Sequence, residues 1–273
     1  DPDAVEKGVA DTRASKLKLL YEKLRGGSLI TPEKGKCVAL VIGVSGYQQL
    51  NKLPNACNDA KAVREFLENH KFNVNAVFDA SGAEIENARA SFHRELKKDS
   101  VGLVFFAGHG MQIGDTDYVL PIDSDATTTS EISLDSFLSD SKARINILIA
   151  DTCREDAAPL LPAATSSPLP PRPPPRERRA PANGIMLFAT SPGGTASDGS
   201  VAAGYGLFTK HLLEALKEPL TLHDAFMDVV SGVRRATMDV QAPEMDASHL
   251  NKDFTFEDLG NEFELLPQSE VCA

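Results

Sequence analysis

No stretch of these 273 residues stays apolar for the length of a membrane span. The first thirty residues are polar and charged and lack the apolar core of a signal peptide. The chain opens on Asp1 rather than a methionine, which leaves room for a longer protein upstream. Cysteine is scarce. Cys37, Cys57, Cys153 and Cys272 fit neither a zinc-site spacing nor a dense disulfide framework. A reducing, cytoplasmic setting is therefore expected, with no metal or cofactor built into the fold. Basic residues are in deficit, 28 Lys and Arg against 39 Asp and Glu, for a net charge of -11. That balance disfavours nucleic acid and favours basic partners or substrates. Tryptophan is absent, which excludes nothing functional.

What remains is 42% hydrophobic and 25% charged, an ordinary globular composition. Continuous apolar runs at 37–42, 101–107, 145–150 and 185–189 have the character of strands buried on both faces. A shorter strand is expected at 74–78 and a last one, closing the edge, at 254–256. Helical spacing recurs at 56–70, through Ile85, Ala88, Phe92 and Leu96, at 207–216 and at 222–238. A charged helix is expected near 14–24, an acidic loop after residue 110 and a short helix at 134–138. Strand alternating with helix predicts an α/β fold with a parallel, helix-covered sheet.

Composition breaks sharply at 157–183, which holds 9 of the chain's 17 prolines together with Arg172, Arg176, Arg178 and Arg179. Such a segment cannot pack a core and reads as an exposed linker. It divides the chain into an N-terminal helical segment (1–35), a larger part (36–156), the linker, a smaller part of the same domain (184–258) and a tail (259–273).

Two of the strands end alike. The run at 101–107 stops at Gly108-His109-Gly110, and that at 145–150 stops at Asp151-Thr152-Cys153-Arg154. In an open parallel sheet both ends face one crevice, where such folds place their chemistry. Cys153 there can act as nucleophile, and His109 can hold the thiol near its ionised form and protonate a leaving amine. The backbone N–H groups of Gly110 and Cys153 are the candidate oxyanion donors. Cys37 and Cys57 read as packed residues.

The runs Phe105-Phe106-Ala107-Gly108-His109-Gly110 and Ile149-Ala150-Asp151-Thr152-Cys153-Arg154 closely resemble the caspase-like cysteine peptidases. They are nearer to the metacaspase, paracaspase and orthocaspase branch than to animal caspases. The caspase signature sets its histidine about 50 residues before the cysteine; here the two are 44 apart. Further likeness lies in Ala39 to Gly43, Asn55-Ala56-Cys57-Asn58-Asp59-Ala60, Phe188 to Gly199, Gln241-Ala242-Pro243 and residues 248–256. It spans roughly 36–256. The resemblance implies a three-layer sandwich with a mostly parallel central sheet flanked by helices, and a cysteine endopeptidase working through His109 and Cys153.

The resemblance also implies cleavage after Arg, and Lys, in protein or peptide substrates, through carboxylates in the S1 pocket. Asp151 and Asp59 match two of these, and Asp198 is a third candidate that reads equally as a turn former before Gly199. Relatives are often cut between their two parts, which makes Arg178 and Arg179 candidate self-cleavage sites; the alternative is a basic tether that only keeps the linker soluble. Many relatives need calcium. Asp115, Asp117, Asp123 and Asp125 are its candidate ligands here, or else a solvated acidic loop. A monomer without nucleic-acid or membrane partners is expected. The rivals are a catalytically weak scaffold on the same fold and a legumain-like or gingipain-like Cys–His hydrolase.

Overall fold

A computed structural model describes residues 37–113, 115–124, 132–139, 141–154, 184–199, 204–218 and 220–247. The expected helix at 14–24, the strand at 254–256, the linker with Arg178 and Arg179, and the tail lie outside these residues. The long apolar runs form the core strands β1 (Cys37–Gly43), β3 (Val101–Ala107), β7 (Ile145–Asp151) and β8 (Gly184–Phe188). With β2 (Asn73–Phe78) and β9 (Glu244–Asp246) they make one six-stranded sheet in the order β2-β1-β3-β7-β8-β9. All pairings are parallel except β8 with β9.

Alternation along the strands divides the core in two. Ala39, Val41, Leu103, Phe105, Ile147 and Leu187 face one side, against α1 (Ala56–Asn69), α3 (Leu207–Ala215) and α4 (Leu222–Ala236). Leu40, Ile42, Val104, Phe106, Leu148 and Met186 face the other, against α2 (Gly82–Glu95). The result is a three-layer α/β sandwich. Helix α2 opens with a capping box between Ser81 and Glu84, and Thr221 caps α4 by accepting the Asp224 N–H at 3.1 Å.

Among the described residues the strand at the edge beside β8 is β9, an acidic tripeptide with no apolar run to announce it. One expectation is corrected. The segment after His109 is not a loop but a second, antiparallel sheet of β4 (Gly110–Ile113), β5 (Thr116–Val119) and β6 (Ile132–Ser133), followed by a 3₁₀ turn, Leu134–Phe137. Its acids are not uniformly solvated. Asp117 is 1% exposed and ion-paired to Arg154, and Asp123 accepts the Gly82 N–H at 3.0 Å. Asp125 lies outside the described residues.

Candidate active site

Register brings the two strand ends level. Ala107 pairs with Asp151 across β3 and β7, and His109 and Cys153 each lie two residues beyond that pair. Both line one cavity at the C-terminal edge of the sheet, together with Asp59, Asp151 and Asp198.

His109 is held from three directions. Its backbone N–H donates to the Tyr47 hydroxyl at 2.8 Å, the two rings lie 4.6 Å apart, and Nε2 sits 2.7 Å from the Asn51 carbonyl. A carbonyl only accepts, so Nε2 carries the proton and Nδ1 holds the lone pair of the neutral ring. Burial lowers the His109 pKa from its ordinary 6.5, opposed by the Asn51 carbonyl. Tyr47 is itself buried, and its hydroxyl donates to the Leu120 carbonyl at 2.9 Å. The flanking glycines answer to close approach. A Cβ on Gly108 would lie 2.7 Å from the Tyr47 hydroxyl, and one on Gly110 would lie 2.7 Å from Thr152 Cβ.

The Gly110 N–H is kept out of the small sheet. Leu120 donates to the His109 carbonyl at 3.0 Å, which makes 109 and 120 a hydrogen-bonded pair. The next pair, Gly110 with Val119, is then the non-hydrogen-bonded kind, so the Gly110 N–H turns away from β5. Cys153 is half-buried. The Ala196 N–H points at its Sγ from 3.3 Å, and the Ala196 carbonyl lies 3.6 Å from the sulfur. An N–H aimed at sulfur favours the thiolate. At the other described cysteines, burial pushes Cys37 up to about 12 and raises Cys57 as well.

Asp59, Asp151 and Asp198 form an acidic slot beside the sulfur. Asp59, in the first turn of α1, accepts the Gly206 N–H at 2.8 Å. Asp151, at the end of β7, accepts the Thr209 hydroxyl at 2.7 Å. Asp198 accepts the Asn55 N–H at 3.2 Å. A Cβ built on Gly206 would lie 2.8 Å from Asp59 Oδ2 and 3.4 Å from Asp151 Oδ2, so both carboxylates face one spot. The slot sits at the N-termini of α1 and α3, whose partial positive charge favours anions. Among the described residues, no basic side chain is ion-paired with any of the three. Burial raises the pKa of all three; at Asp59 the Asp151 charge adds to it, and at Asp151 the Asp198 charge does so.

That cluster opposes folding at neutral pH. A carboxyl raised in the fold contributes stability fully present below its unfolded pKa, about 4, and lost as pH climbs through the raised value. Asp59→Asn keeps the acceptor for Gly206 and removes a charge. It is expected to raise Tm at pH 8 by about 2–4 °C for each kcal/mol recovered, and to leave Tm unchanged at pH 4. Calorimetry at both values checks this; a lower Tm at pH 8 would sink it.

Four residues here escaped the sequence: Tyr47, Asn55, Arg154 and Gln241. Arg154 is 2% exposed. Its Nε donates to Asp117 at 3.0 Å and Nη1 to the Thr190 carbonyl at 3.1 Å; Nη1 also pairs with Glu244, and the guanidinium carbon lies 4.2 Å from the centre of the Phe188 ring. Gln241 accepts the Ser197 N–H at 3.1 Å and donates to the Ala189 carbonyl at 2.9 Å. Asn55, Arg154 and Gln241 stood inside the motifs that carry the family resemblance, which marked their positions but not their contacts. Among the described residues no group of three or more His, Cys, Asp or Glu side chains is arranged to hold a metal ion, and no helix is long and apolar enough to cross a membrane.

The caspase domain family model matches residues 36–255. The human mucosa-associated lymphoid tissue lymphoma translocation protein 1 and its mouse homolog are each 26% identical to this chain over 226 residues, covering 79% of it. The chain spans about a quarter of the length of these relatives, 24% of each. The crystal structure of protein GSU0716 from Geobacter sulfurreducens superposes with a TM-score of 0.60 at 16% identity, covering 79% of this chain and 94% of that one. At that identity it speaks to the fold alone.

Proposed function

Since this chain belongs to the caspase domain family of cysteine peptidases, we propose that it is an endopeptidase that cuts after arginine, and after lysine less well. One observation carries the specificity: a cluster of carboxylates, without a paired cation among the described residues, lies in the same cavity as the thiol. Such a cluster is strained when empty and relieved by a guanidinium, which a carboxylate pair can grip through two parallel hydrogen bonds. Lysine offers a compact point charge and fills the slot less well. A protein of net charge -11 is also suited to basic polypeptides.

The proposed mechanism gives each of these groups a step. Nδ1 of the neutral His109 accepts the thiol proton, and Cys153 Sγ attacks the carbonyl carbon of the bond to be cut. The Gly110 and Cys153 N–H groups take the charge that builds on the carbonyl oxygen. The C–N bond breaks as His109 returns its proton to the leaving amine. Water, deprotonated by His109, then opens the thioester and restores the thiol. A reducing cytoplasm suits this chemistry, and none of Cys37, Cys57 and Cys153 is in a disulfide.

The test compares fluorogenic peptides that differ only in Arg, Lys or Asp at the scissile position. Arg turnover is expected to exceed Lys and Asp to be inert. Asp turnover without Arg turnover would falsify the acidic-slot assignment.

A further inference from the structure

Asn55 breaks a local rule. It is the N-cap of α1, where asparagine ordinarily turns its side-chain oxygen onto first-turn N–H groups. Here the side chain makes no capping bond. Its Nδ2 instead donates to the Asp198 carbonyl at 2.5 Å, while its own N–H holds the Asp198 carboxylate. Asn55 is 1% exposed and reaches across 143 residues of sequence to do this. Departures of this kind, a good local choice surrendered for a distant contact, gather at functional sites.

The strap that Asn55 grips explains what the departure achieves. Ala196 carries the main-chain groups that contact Cys153 Sγ, Ser197 is anchored by Gln241, and Asp198 is anchored by Asn55. Gly199 then turns the chain with φ of 74°. Three consecutive residues are thus pinned to three separate parts of the fold, with the sulfur at one end and an acid of the slot at the other.

We infer that Asn55 is a specificity-positioning residue, which gives up capping α1 to fix Asp198 at a set distance from Cys153. The inference rests on reading the slot as the site for a P1 arginine. Asn55→Ser supplies a good cap to α1 but cannot span to Asp198. Steady-state kinetics with the Arg peptide is expected to show KM rising about tenfold, the scale of one lost hydrogen bond, with kcat within about twofold. Tm is expected to hold or rise. Asn55→Asp, the same shape but with an acceptor against the Asp198 carbonyl, is expected to raise KM likewise. In an Asp198→Ala background, Asn55→Ser is expected to change nothing further.

An unchanged KM with a lower Tm would reduce Asn55 to a structural brace and overturn the inference. So would a KM rise of the same size in the Asp198→Ala background. A wild type that fails to turn over the Arg peptide removes the acidic-slot reading itself, and the inference with it. A wild type that cleaves the Arg peptide beside an Asn55→Ser enzyme of unchanged KM removes the inference alone.

Discussion

Cys153→Ala and His109→Ala are each expected to lower turnover of an Arg peptide by at least about 10³-fold, and the double variant is expected to lose no more than either single one. The reason lies in the division of labour. In the proposed mechanism Sγ forms the acyl bond and His109, which lines the same cavity, carries the proton. Its Nε2 is occupied by the Asn51 carbonyl, which leaves Nδ1 for that exchange. With either partner gone the other has nothing to act on, so the two losses overlap instead of multiplying. A double variant slower by the product of the single effects would show two independent contributions and refute the dyad. His109→Ala retaining near-wild-type turnover would do the same. Intact mass of the wild type beside Cys153→Ala reads self-processing in the same experiment. Fragments ending at Arg178 or Arg179 only in the wild type support it, and equal cleavage of both proteins excludes it.

How much of this was legible in the sequence depended on whether a signal was local. Strands β1, β3, β7 and β8 were legible because a strand covered by helices on both faces must be apolar throughout. That also located His109 and Cys153, since each follows such a run directly. Strands β4 and β5 were not legible. Each is four residues long, and Asp117 interrupts the pattern because its partner, Arg154, arrives from 37 residues away. Strand β9 is Glu244-Met245-Asp246, a composition no propensity would select; its pairing with β8 decides it. The acids of the slot came from motif likeness, and their convergence needed the register of β7 and the start of α3. Asn55 and Tyr47 act through carbonyls and N–H groups far along the chain, and a main-chain partner leaves no side-chain signature to read.

The same dependence on distant partners sets the largest expected loss of stability, at Arg154. Its side chain and that of Asp117 are 3% and 2% exposed. Taking both charges out of water is costly, and the pair persists because the guanidinium is also bonded to Thr190 and Glu244 and packed on Phe188. Arg154→Met keeps apolar bulk over Phe188 but takes the guanidinium away from the buried Asp117 carboxylate. The expected loss is about 3–5 kcal/mol, read as a lower urea midpoint at unchanged slope. A surface pair such as Arg64–Glu68, with side chains 47% and 44% exposed, contributes at most a few tenths. Adding Asp117→Asn to Arg154→Met removes the buried negative charge and is expected to restore most of the loss. That recovery separates desolvation from simple loss of packing, because a packing defect would persist in the double variant. Failure of the double variant to recover would mean that Arg154 acts chiefly through Thr190, Glu244 and its packing on Phe188. Since Arg154 directly follows Cys153, it then ties the sulfur to β9 and the turn after β8, more than to β5.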